Sequence, residues 1–220
     1  MSFSHILLSL ILLSLVACQP DNPEKTHSES VIDDSYVVYW TELLGTLDIE
    51  FPAKEVHILL FKMEQKAEIW VVGKDDTPIL LEVHDIETTS SEKGPLLYEG
   101  QPNFPEGKYL VDAAISDGEV VYLKPDFPNS FDQRKAKADK RKMPKEGFFI
   151  ASAQMEGTHT AIMEENTLNS VINLVISTNH SEIIVFPEDP RPNTRFKPCY
   201  PCTEWYVELY SMLEETLRKY

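Results

Sequence analysis

The sequence predicts a β-rich α+β domain. Short apolar, β-prone runs fill the middle of the chain, divided by polar breaks that contain Gly, Pro or Asp. Helix-spaced apolar residues occur near the two ends and in one segment late in the chain. The 220 residues, less an apolar leader, leave about 200, enough for one domain with its own core.

The leader is MSFSHILLSLILLSLVACQP. Ile6 to Val16 is apolar apart from serines, too short to span a bilayer as a mature helix, and reads as the h-region of a secretory signal. Cys18 directly after Leu15-Val16-Ala17 resembles a bacterial lipobox. That resemblance implies cleavage before Cys18 and lipidation of its sulfur and new amino terminus. The n-region departs from the pattern, having no Lys or Arg; an ordinary cleaved signal with an incidental Cys18 is the other reading. Gln19 in place of Asp resembles the outer-membrane sorting pattern of diderm lipoproteins. Residues 1–17 are therefore read as signal, and 18–30 as the lipidated cysteine and a flexible tether, polar and carrying Pro20 and Pro23.

Residues 31–55 form a helix and lead-in: Tyr36, Val37, Trp40, Leu43, Leu44 and Leu47 recur at helical spacing, a core pattern rather than a ligand cage. Strands are expected at Val56–Phe61, Ala67–Val72 and Ile79–His84, then at Tyr109–Val111 and Val120–Leu123 around an Asp117-Gly118 turn. His57 and His84 fall inside such strands and read as strand side chains without a ligand role. Gly94–Gly107 and Asp126–Phe131 are loop-like. Phe148-Phe149-Ile150 reads as a buried strand that breaks into small and polar residues from Ser152 to Thr160. Asn166–Ser177 is helical, Ser181–Pro187 a strand, and Thr203 an N-cap for a last helix whose Trp205, Leu209, Met212, Leu213 and Leu217 share one face.

The charge balance is strongly acidic, 36 acids against 20 bases, which argues against a nucleic-acid partner because phosphate neutralisation needs clustered positive charge. One basic run interrupts it, RKAKADKRK from Arg134 to Lys142. Such a run reads as a solvated loop or helix face, and alternatively as a contact for an anionic envelope polymer.

Several segments, in order, resemble the L,D-transpeptidase catalytic-domain family, in the branch acting on the peptidoglycan of diderm bacteria. They are Phe61-Lys62 with Ala67-Glu68-Ile69-Trp70, the loop Gly94-Pro95-Leu96-Leu97-Tyr98-Glu99-Gly100, and Pro105-Glu106-Gly107-Lys108-Tyr109. Phe127-Pro128-Asn129-Ser130-Phe131-Asp132 and Ile184-Val185-Phe186-Pro187 complete the series. The resemblance covers most of residues 56–187 and implies a mixed β-sandwich with peripheral helices, followed by residues 188–220 as a linker and helical tail.

The active site of that family reads roughly H-G-x-C-V-S-x-G-C-F-A-M, with the last Cys as nucleophile and the His as its base. Laid on this chain without a gap, Ser152 falls at the His, Ala153 at the Gly, Gly157 at the Ser, His159 at the Gly and Thr160 at the Cys. A one-residue slip around Gln154–His159 would change these roles, though the interval from Ser152 to Thr160 matches without one. The frame is kept and the chemistry is lost. A threonine hydroxyl is a far poorer nucleophile than a thiolate at neutral pH and needs a base within hydrogen-bond reach, which Ser152 cannot supply. His159 is adjacent, but neighbours along an extended chain point to opposite faces.

Cys199 and Cys202 form a Cys-Tyr-Pro-Cys pair in the tail. In an exported chain a local disulfide is expected; the alternative is a redox-active pair at a helix N-terminus. Two cysteines alone do not complete a structural zinc site, and no metal or cofactor is expected.

The first expectation for function is a lipid-anchored envelope pseudoenzyme at the periplasmic face of the outer membrane, its cleft, Ala153 and Gly157 included, binding peptidoglycan stem peptides or regulating an envelope partner. The second is an active peptidoglycan hydrolase or transpeptidase using Thr160 with His159. The third is a thiol–disulfide protein working through Cys199 and Cys202.

Overall fold

A computed structural model describes residues 33–90, 94–116, 120–145, 147–192 and 204–220. Cys18, Cys199, Cys202, Thr203 and the Asp117-Gly118 turn lie outside the described residues. The chain runs α1 (Asp34–Thr46), β1 (Glu55–Phe61), β2 (Lys66–Val72), β3 (Pro78–Asp85), β4 (Glu87–Thr88), β5 (Gly107–Ser116) and β6 (Val121–Pro125). It continues through α2 (Ser130–Ala138), β7 (Phe148–Ala151), β8 (His159–Ile162), α3 (Glu165–Ile176), β9 (Ser181–Phe186) and α4 (Glu204–Leu217). The fold is β-rich α+β, as the short apolar runs predict.

Nine strands form one mixed sheet in the order β3-β2-β1-β9-β5-β6-β7-β8-β4. β1 with β9 and β7 with β8 are parallel; the remaining neighbours are antiparallel. β5 joins the two halves. Its first residues, Gly107–Leu110, pair with β9, and the rest pair with β6 after a register irregularity between Val111 and Ala113. An irregularity of this kind bends a strand and raises its local twist.

The period-2 alternation of β1 explains why its whole apolar run is buried. Val56, Ile58 and Leu60 face a core shared with Ile69, Ile183, Trp40 and Leu44 of α1, and the α3 residues Leu168, Val171 and Ile172. Leu59 and Phe61 face the opposite side, where Ile184 and Phe186 of β9 meet Leu209, Tyr210, Leu213 and Leu217 of α4. A strand covered on both faces reads as a near-continuous hydrophobic run. The first core also contains Leu123, Phe148, Ile150 and Ala161 from the β6–β8 half, so both halves of the sheet close over it.

The helices are held by specific bonds. Asp33 caps α1 through the Ser35 amide at 2.8 Å, and the Trp40 indole N–H donates to Ser170 O of α3 at 2.8 Å. Glu164 caps α3 through the Thr167 amide, also at 2.8 Å.

Three local expectations are corrected. Asp126–Phe131 is not all loop: Asn129 is the N-cap of α2 and forms a reciprocal capping box with Asp132, so the helix begins at Ser130. Four-residue β8 and two-residue β4 were hidden in polar sequence, because strands this short have too little alternation to register. The basic run is only partly solvated. Ala136 is buried, Arg134 and Lys135 pair with Glu208 of α4, and the Arg141 side chain, 5% exposed, donates to Leu97 O at 2.8 Å. Among the described residues, no helix is long and apolar enough to cross a membrane.

Candidate functional site

The site is built around the return from β7 to β8. Parallel neighbours normally need a long crossover, but strands of four residues require the chain to travel back only ~13 Å, at roughly 3.3 Å per residue. The segment 152–158 makes that return without a helix. His159 N donates to Gly147 O at 3.0 Å, and Met163 N to Ala151 O at 2.9 Å, fixing β8 in register beside β7.

Thr160 lies on β8 with no exposed surface, because the return segment folds over it. Its Oγ1 lies 3.0 Å from Thr158 Oγ1 and accepts from Gln154 Nε2 at 3.3 Å and Met155 N at 3.4 Å. A hydroxyl, a carboxamide and a backbone amide surround it. None of these groups accepts a proton at neutral pH.

Ser152 is directed elsewhere. Its Oγ accepts from Val121 N at 3.3 Å and its amide donates to Val121 O at 3.0 Å, so it stitches the end of β7 to β6. The structure does not bring Ser152 and Thr160 into hydrogen-bond contact. His159 is buried and adjacent to Thr160 on the same strand, where successive side chains point to opposite faces. Ala153 is exposed. Gly157 has φ +67, and a Cβ built there would meet nothing within 4 Å. Its glycine serves the left-handed turn closed by Thr158 Oγ1 on Met155 O at 2.8 Å.

The segments that carry the family resemblance prove to be scaffold around this return. Lys62, with no exposed surface, donates to Gly94 O at 3.1 Å, Phe104 O at 3.0 Å and Glu106 Oε1 at 2.9 Å. Glu106, 1% exposed, also accepts from Gly94 N at 2.8 Å and from the Tyr210 hydroxyl of α4 at 3.3 Å. One buried ion pair thus ties the turn after β1, the 94–106 loop and the last helix together. Gly107 follows at φ +150, and an added Cβ would sit 2.9 Å from Tyr109 Oη.

The FPN-S-F-D segment is a helix start. Asn129 Nδ2 donates to Lys108 O at 2.6 Å, and Asn129 N to Asp132 Oδ2 at 3.1 Å. Burial pushes the Asp132 carboxyl up to about 7, against the pull of the Asn129 amide and the Arg141 guanidinium. The loops then meet β7 through aromatic rings. Phe104, Tyr109 and Phe127 pack edge-on to Phe148 at centroid distances of 5.2, 5.1 and 5.9 Å. This cluster links the motif loops to the strand that leads into the Thr160 segment.

Sequence reasoning missed the Lys62–Glu106–Tyr210 network. Its signal was a lysine ending an apolar strand, Leu59-Leu60-Phe61-Lys62, where a cation needs a buried partner.

No protein-family model matches the sequence, and no curated protein matches it. Among solved structures the chain is similar to Bd1075 of Bdellovibrio bacteriovorus, with a TM-score of 0.46 and 12% identity, covering 76% of this chain and 56% of that one. It is also similar to the helical cell shape determining protein Pgp2 of Campylobacter jejuni, with a TM-score of 0.49 and 13% identity, covering 74% of this chain and 53% of that one. The chain therefore spans about half the length of these structures. At these scores neither likeness carries an assignment of activity, substrate or partner.

Proposed function

We propose that this chain is a lipid-anchored cell-envelope protein whose L,D-transpeptidase-like domain works without covalent chemistry, binding peptidoglycan stem peptides or regulating an envelope partner. The observation that carries the reading is the Thr160 hydroxyl, fully buried and bonded only to Thr158, Gln154 and the Met155 amide among the described residues. A nucleophilic hydroxyl needs a general base within hydrogen-bond reach, and members of such a pair act as a unit. The resemblance supplies the ligand class, and the retained scaffold around Lys62, Glu106 and Phe148 supplies a reason for the frame to persist without its chemistry. The lipid at Cys18, the outer-membrane location and the Cys199–Cys202 disulfide belong to the same proposal.

The test incubates purified residues 19–220 with intact peptidoglycan sacculi, measuring the retained protein and the released muropeptides by mass spectrometry. Retention with an unchanged muropeptide profile is the expected result. New or lost cross-links, abolished by Thr160→Ala, would instead establish a threonine-dependent enzyme. Turnover lost on Cys202→Ser would point to thiol chemistry.

A further inference from the structure

β1 and β9 run parallel, with Val56 opposite Ser181 and His57 opposite Glu182. Residues two apart on a strand share a face, so Glu55 and His57 of β1 stand beside His180 and Glu182 on the face that also carries α4. We propose that Glu55, His57 and His180 form a binding site for a divalent transition-metal ion such as Zn²⁺. One donor atom from each lies within 4.8 Å of the other two.

Ligand atoms of a tetrahedral zinc with bonds near 2.0–2.1 Å sit roughly 3.3 Å apart, so closing the site requires movements of about 1.5 Å. Side-chain rotation supplies this, since His180 is about half exposed at 47%. His57 Nε2 already faces Glu55 Oε2 at 3.1 Å, with the two imidazole centroids 6.5 Å apart.

Two further features are those of a metal site rather than a surface ion pair. Metal-bound histidines use their second ring nitrogen to bond a neighbouring group that fixes tautomer and orientation. Tyr220 Oη holds His57 Nδ1, which leaves Nε2 for the metal. Glu182 Oε1 lies 3.5 Å from His180 Nε2, and its other oxygen takes Lys108 at 3.1 Å. Glu55 and His57 also border a cavity of about 440 Å³ shared with Asp76, Thr77 and Tyr220, leaving room for a water or substrate atom as fourth ligand. Two histidines and a carboxylate with an open position suit zinc, or iron(II) and its neighbours. The cations that compete for the carboxylate are Lys54, 3.9 Å from Glu55, and Lys219 at the cavity wall.

The test is isothermal titration of residues 19–220 with Zn²⁺, carried out on a Cys199→Ser/Cys202→Ser background so that no thiol adds to the binding. One zinc per chain is expected. His180→Ala, at a half-exposed position that leaves the cores intact, should weaken binding at least about 100-fold, and Glu182→Gln about 10-fold. Unchanged circular dichroism of the metal-free variants verifies the fold. Absence of stoichiometric binding in the parent, or equal affinity in His180→Ala, overturns the assignment.

Discussion

Lys62→Met tests the buried ion pair that organises the motif loops. The substitution keeps side-chain length and volume near those of lysine while removing the ammonium. Left behind are the Gly94 and Phe104 carbonyls and a Glu106 carboxylate with 1% exposure, which have lost donors at 3.1, 3.0 and 2.9 Å. Breaking a buried pair from one side costs about 3–5 kcal/mol, because the surviving charge stays desolvated. At roughly 2–4 °C per kcal/mol for a domain of this size, the melting temperature should fall by roughly 6–20 °C. Glu106→Gln keeps an acceptor for the Gly94 amide and removes the counter-charge, so alone it should also destabilise. Combined with Lys62→Met it leaves no buried charge, and the double variant should be more stable than the sum of the single losses predicts, by about 1–3 kcal/mol. Urea unfolding followed by tryptophan fluorescence measures all three, since Trp40 and Trp70 are buried. A Lys62→Met loss below about 1 kcal/mol, or strict additivity in the cycle, would refute the reasoning.

Two further outcomes concern the neighbouring motifs. The Asp132 carboxyl is raised from 3.8 to about 7 in the folded state, so its contribution is fully present below pH 4 and lost as pH rises through 7; the upper limit is about 4 kcal/mol at 1.36 kcal/mol per pH unit. Asp132→Asn, whose amide oxygen can still accept from Asn129, should therefore gain stability relative to the parent between pH 4 and pH 8, and parallel urea profiles would contradict this. Gly157→Ala meets no atom within 4 Å but must hold φ +67, so it should cost about 1–2 kcal/mol of stability without changing retention on sacculi; lost retention at unchanged stability would assign this glycine to the binding cleft.

The sequence alone was enough for the fold class and for most regular elements, because these depend on local periodicity. Helix α3 begins and ends within a residue of the stretch read as helical, and β1 through β3 fall on the expected apolar runs. The apolar face of α4, including Leu209, Leu213 and Leu217, was equally readable, and it packs where an amphipathic helix must, on an otherwise bare sheet face. The short strand Phe148–Ile150 and the polar break that follows it were readable too, and β7 ends at Ala151 where that break begins.

What only the tertiary structure decided are the relations between distant residues. Nothing local says that Lys62 meets Glu106 and Tyr210, that Ser152 bonds Val121 rather than Thr160, or that the 152–158 return closes over the threonine hydroxyl. Nor does the sequence place Glu55 and His57 beside His180, more than a hundred residues away; that depends on the parallel register of β1 and β9. Periodicity reports which face of an element is buried. The partner on that face is set by sheet order and by the desolvation cost of any polar group left without one, and both exist only once the chain has closed.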